Sequence, residues 1–457
     1  MKKVWSILLV LVICASVLPG CSNAEKAGKS ENEVVISVGT WPQESNPAER
    51  ARYEAVAEQL SKDYPHIKVV ESDFTYDERS YLPQAASGQL PTVYRVPFTE
   101  LDKIVDAGFA TDITEYVEEA GFTKAYNPQI LDLTTRDGKQ YVVASDTYTM
   151  GFALNKDLFK KAGLVNEDGS LMIPQTYDDV KEFSKIIKEK TGAYGFGMVT
   201  KNGWHMLNLA WSFGTVFEQK VDGEWKATFG SEEFVDSLEY LRDMKAEGLF
   251  PPNALIDTDS LYRMFVTDQL AMMYYVPSTN QIIENYGMNK DKIAYAAVPE
   301  GPAGRYTQMG GSLYIIDSNA TPEQVDACLK WIQYIGHGPE LNEQTKATIE
   351  SKYKGMVEKG YIVGVTPYPV WSEDTEIQKY IEETIAANVN VDTSYYTEYM
   401  DYTKATAKPE EPINCRELYT VIGDCMQEAL ANPNADLSKL VKEAAENFQR
   451  NALENME

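Results

Sequence analysis

Histidine is scarce in this chain of 457 residues, with only three, His66, His205 and His337. They lie far apart and lack the His-Glu-x-x-His spacing of a zinc hydrolase, so a histidine-built metal centre is not expected. Also missing are a Gly-x-Ser-x-Gly nucleophile elbow and a Gly-x-x-x-x-Gly-Lys phosphate loop, which removes the usual signatures of acyl-transfer enzymes and of P-loop nucleotide hydrolases. Asp257 and Asp259 lack the glycine and terminal glutamate of a calcium loop. No cofactor and no metal are expected. Basic charge is in short supply as well, 42 Lys and Arg against 69 Asp and Glu, for a net charge of −27. A field of that sign repels nucleic acid and anionic lipid and favours solubility.

Cysteine is sparse too, at five residues. Cys14 falls in the leading apolar stretch and Cys21 just after it, which leaves Cys328, Cys415 and Cys425, an odd number that makes no disulfide framework. Cys415 and Cys425 sit in one helical stretch, where ten residues at about 1.5 Å rise set them roughly 15 Å apart, too far to bridge. All three read as small buried apolar residues.

A long apolar run is lacking. Val4 to Leu18 follows Met1-Lys2-Lys3 and ends at Pro19-Gly20, short of the roughly 20 residues that span a bilayer, so residues 1–20 read as an export signal and not as a lasting anchor. Leu18-Pro19-Gly20-Cys21 resembles the bacterial lipoprotein box, which implies lipidation of Cys21. The alternative is an ordinary secretory peptide with an incidental cysteine. Residues 21–33 have the small, polar composition of a flexible tether.

What is present is β-α-β order and abundant tyrosine. A chain of this length exceeds one hydrophobic core and fits two lobes. Val34 to Trp41 reads as a strand, a helix restarts near Ala48 and stops at Tyr64-Pro65, and Ile67 to Val70 is a second strand, the pattern of a parallel sheet with helices on its faces. Asp137-Gly138-Lys139 is a hairpin turn. From Gly151 a strand runs into a short helix, and Thr176 is placed to N-cap a long amphipathic helix. The last hundred residues read mainly as helix, with loops at 367–371 and 409–412.

Five segments in this order resemble the extracellular solute-binding proteins of the sugar-binding ABC class, family 1: Tyr64-Pro65-His66-Ile67-Lys68-Val69; Ala86-Ser87-Gly88-Gln89-Leu90-Pro91-Thr92-Val93; Leu154 to Leu164 with Pro174 to Asp179; Phe265 to Met273; and Val298 to Gly304 with Gly310-Gly311. Thr92 stands where the family has aspartate, and Asp268 where it has glycine. The resemblance covers residues 34 to about 335. It implies an α/β fold of the type II periplasmic-binding-protein kind, two α/β lobes with a ligand cleft and hinge crossings, closing on ligand by hinge motion. The expected division is 34–147 in lobe 1, 148–297 in lobe 2, 298–335 returning to lobe 1, and 336–457 mainly in lobe 2. The implied protein is monomeric and lipid-anchored on the outer face of the bacterial membrane. It passes a carbohydrate to the transmembrane subunits of an ABC permease, with no catalytic residues.

Sugars offer flat C–H faces and rings of hydroxyls, so their receptors need exposed aromatic faces and a few placed polar groups. On that basis the expected ligand contacts are Trp41 at the end of the first strand, Thr99 in the loop after the third, Tyr148 at the first crossing, and Trp204 opening a helix. Tyr275 stands near the position where relatives carry a tryptophan, Gly310 and Gly311 could admit backbone donors or satisfy a turn, and Trp371 lies in a late loop. For each aromatic the competing reading is core packing. Two other functions stay open: a receptor for a peptide or other small polar solute, and a secreted carbohydrate-active enzyme, since two carboxylates suffice for a glycosidase.

Overall fold

The computed structural model describes residues 33–454. The export signal, Cys21 and most of the tether lie outside the described residues.

The first lobe begins with β1 (Val34–Val38), β2 (Ile67–Glu71) and β3 (Val93–Pro97), followed by a small hairpin of β4 (Thr135–Arg136) and β5 (Lys139–Gln140) and by the long β6 (Val142–Thr149). The second lobe holds β7 (Gly151–Asn155), β8 (Tyr194–Gly197), a hairpin of β9 (Glu218–Val221) and β10 (Glu224–Ala227), β11 (Leu270–Tyr275) and β12 (Ile293–Ala296). The chain then returns through β13 (Thr307–Ile316), and a late strand, β14 (Ala407–Pro409), joins its start.

β1 pairs in parallel with β2 and β3, while β13 runs antiparallel to β3 and β6. The second sheet has the order β12-β7-β11-β8. Each sheet is buried in its own core. One core gathers Ile36, Val93, Val143, Ile315 and Trp331, the other Phe152, Phe196, Met272, Ala294 and Leu418. The chain passes between them at β6 to β7, at β12 to β13 and from helix Glu376–Ala387 to helix Thr397–Thr406, and it returns once more to the first sheet as β14 before helix Cys415–Ala431 packs in the second core.

Local sequence explains the element ends. Thr176 and Asp179 form a reciprocal capping box that starts helix Tyr177–Thr191, and Gly192 at φ 79° ends it in the left-handed region, where glycine has no Cβ penalty. Asn155 caps helix Lys156–Ala162 by accepting from the amides of Asp157 and Leu158. Asp268, where the family has glycine, takes φ 58° in the turn before β11. Its carboxylate accepts from Asn155 Nδ2 at 2.8 Å, which compensates a conformation unfavourable to most side chains.

The later chain departs from the expected division. Helices Glu343–Glu358 and Glu376–Ala387 pack through Ile349, Tyr353, Ile377 and Ile385 into the first core, so the lobe-2 share begins in earnest only near Tyr396. An amphipathic helix shows which face it buries but not which lobe receives it. Cys328, Cys415 and Cys425 are free and buried, and the last two share helix Cys415–Ala431.

Candidate functional site

The lobes meet where β6 ends, where β13 begins and where the loop after β14 leads to helix Cys415–Ala431. Tyr148, at the end of β6, donates its hydroxyl hydrogen to Glu410 Oε1 at 2.6 Å. Trp204 Nε1 donates to the same oxygen at 2.9 Å, and Gln308 Nε2 at 2.6 Å. The Tyr148 and Trp204 rings meet edge to face, centroids 6.0 Å apart and 73° between planes. Both residues are half-buried. Burial, with Glu410 second, raises the Tyr148 phenol well above its ordinary value, which keeps it a donor.

The backbone around this group is built for close approach. A Cβ on Gly310 would lie 2.4 Å from the Tyr148 ring, and one on Gly311 2.7 Å from Phe98 and 2.2 Å from the Asp146 carbonyl. Neither glycine has positive φ. Their role is therefore clearance on β13 and not a turn. Gln308 is fully buried and locked by Asn208, which accepts from its amide at 2.9 Å and donates Nδ2 to its Oε1 at 3.0 Å.

Beyond this group lies a cavity of ≈ 450 Å³ outside the carboxyl ends of β1 and β3, lined by Thr40, Tyr76, Glu78, Arg95 and Ser312 among others of the first lobe and by Arg416 from the second. This is where ligands bind in open α/β sheets. Buried Glu100 lies behind this lining, next to Tyr76 and Arg416. It accepts from Tyr76 and, at 3.1 Å, from Thr99 Oγ1. Arg416 Nε stands 3.8 Å from Glu100 Oε1. Burial and the Glu100 charge both raise the Glu78 carboxyl. Arg95 pairs with Asp146 and lies over the Tyr314 ring, 5.6 Å from its centroid.

Of the residues expected to touch ligand, Tyr148, Trp204 and Gly310 come together between the lobes, Thr99 is buried with its hydroxyl on Glu100, and Gly311 gives clearance to the Phe98 ring. Three are corrected. Trp41 is 8 % exposed, stacked on Trp331 at 5.7 Å and edge-on to Tyr53 at 5.3 Å. Trp371 stacks on Tyr126 at 5.3 Å with 4° between planes, inside the first core. Tyr275 is wholly buried, stacked on Tyr295 at 5.9 Å, with its hydroxyl accepting from the Ile282 amide at 3.2 Å. Each ring satisfied the packing demand of its own lobe, which sequence position alone does not reveal. Glu100, Gln308, Glu410 and Arg416 went unrecognised. The one available signal for Glu410 was a loop in which Pro409 and Pro412 bracket two acids, and an acid in a loop is ordinarily solvated. Among the described residues no cluster of His, Cys, Asp and Glu could hold a metal ion, and no helix is long and apolar enough to cross a membrane.

Two α/β lobes joined by several chain crossings over a polar and aromatic cleft define a hinge-type binding protein. The chain belongs to the bacterial extracellular solute-binding protein family, which matches residues 44–335. Among curated relatives, a binding protein of Brucella abortus is 26 % identical over 205 residues, 44 % of this chain and 47 % of its own. The arabinooligosaccharide-binding protein of Bacillus subtilis is 27 % identical over 255 residues, 53 % of this chain and 55 % of its own. The chain thus spans about half the length of these relatives. In three dimensions the sugar-binding protein MalE of Xanthomonas citri superposes with a TM-score of 0.67 at 17 % identity, covering 91 % of this chain and 97 % of that one. At that identity the likeness establishes the fold.

Proposed function

We propose that this protein is the extracytoplasmic receptor of an ABC importer, tethered through a lipid on Cys21. It captures a carbohydrate, most simply an oligosaccharide, by lobe closure and delivers it unchanged to the membrane subunits. The observation that carries the reading is the Tyr148–Trp204–Glu410 group between the lobes, which sets two half-buried aromatic residues beside a fixed carboxylate. Aromatic faces suit the C–H faces of a sugar ring, and the second Glu410 oxygen, Oε2, makes no hydrogen bond among the described residues and is free to accept from a hydroxyl. The Bacillus relative, named for arabinooligosaccharides, supports the same ligand class.

Calorimetric titration against neutral oligosaccharides and peptides, with mass spectrometry of the recovered compounds, tests this. Saturable binding of a glycan that is returned intact is expected. Binding of peptides alone, or cleavage of the glycan, sinks the proposal. Replacing Cys21 by alanine should move the protein from the membrane fraction to the medium.

A further inference from the structure

Arg416 is the second lobe's contribution to a cavity otherwise lined by the first. It projects from the first turn of helix Cys415–Ala431, and its side chain is 41 % exposed. Its guanidinium makes no hydrogen bond to another described residue. Its charge instead lies between two carboxylates, Glu410 at the crossings and Glu100 across the cleft. Glu100 is the less usual partner. Its side chain is 4 % exposed, its oxygens accept from Tyr76 and Thr99, and the cation in ion-pair reach of it among the described residues comes from the opposite lobe. A carboxylate with little water around it is attracted to that cation more strongly than a surface acid would be.

We propose that Arg416 is the positioning residue of cleft closure: it draws the second lobe onto Glu100 of the first and presents its remaining guanidinium donors to the oxygens of the occupant. This rests on the reading of the chain as a hinge-type receptor. The carboxylates of Asp77 and Glu78 line this space and Glu100 lies just behind it, while Arg95 is already paired with Asp146. An added anion would meet uncompensated negative charge, so the occupant is a neutral polyhydroxyl compound and not a uronate.

The test needs no ligand, which separates its failure from failure of the carbohydrate assignment. Small-angle scattering of the ligand-free protein reads the radius of gyration at low ionic strength and at about 1 M salt, where the Debye length falls to about 3 Å. The expected results are a larger radius for the wild type in high salt, the same larger radius for Arg416→Gln at both ionic strengths, and wild-type behaviour for Arg416→Lys. Circular dichroism confirms that the variants are folded. Wild type and Arg416→Gln with the same radius in low salt would overturn the proposal, as would a wild-type radius indifferent to salt. Failure of Arg416→Lys to restore closure would also overturn it, because packing and not charge would then hold the lobes.

Discussion

A single oxygen, Glu410 Oε1, receives three hydrogen bonds, from Tyr148, Trp204 and Gln308. Charge-assisted bonds of this kind are roughly twice as strong as neutral ones. Glu410→Gln keeps the shape but turns an acceptor into a weaker one, so the variant should lose about 1–2 kcal/mol in urea unfolding. It should also lose about tenfold in glycan affinity by calorimetry, the equivalent of about 1.4 kcal/mol. Gly310→Ala attacks the same group from behind. The added methyl overlaps the Tyr148 ring, and overpacking of this kind typically costs about 1–3 kcal/mol. Because Tyr148 must move, its bond to Glu410 lengthens and ligand affinity falls with stability, which paired unfolding and titration experiments will show. That Tyr148 and Trp204 lie between the lobes was legible in the sequence, because a crossing strand and a helix-opening loop announce themselves. Glu410 was not, because its importance comes from donors 262, 206 and 102 residues away.

At the scale of elements, helix Met206–Phe213 and strand β9 carry two buried groups that act oppositely with pH. His205, at the helix start, is fully buried and accepts from the Val199 amide at 3.1 Å, and burial lowers it to about 3. Its unfolded value is about 6.5. Between those values the folded state binds fewer protons than the unfolded one, so its stabilising contribution is full above about 6.5 and is lost as pH falls towards 3. Glu218, opening β9, is raised to about 8 by burial and then by Glu411. It holds a proton in the folded state that the unfolded state has released, so stability falls as pH climbs from about 4.5 to about 8. Urea midpoints measured across that range should peak on the mildly acidic side. Glu218→Gln should flatten the alkaline limb and leave the acid limb in place. The strands and helices themselves were readable from caps, glycines and alternation, as at Thr176 and Gly192. Which lobe received helices Glu343–Glu358 and Glu376–Ala387 was not, because both cores accept an apolar stripe equally well.

For the whole molecule, a ligand that touches both lobes stabilises the closed, folded form by mass action. At a concentration about 100 times Kd the gain is about 2.7 kcal/mol, so a bound glycan should raise Tm measurably, whereas peptides should not. Two-lobed architecture followed from chain length and from five ordered segments, since no single core grows to this size. The cleft chemistry did not follow, because it is assembled from segments that meet only after both lobes have formed.

The convergence at Glu410 has one more consequence. Trp204 is an indole tied by its own N–H to Glu410, in the loop that leads from β14 to helix Cys415–Ala431, so its emission should register bending of the molecule and not only the arrival of a guest. It serves as a protractor: a residue in the pivot that converts an angle into light.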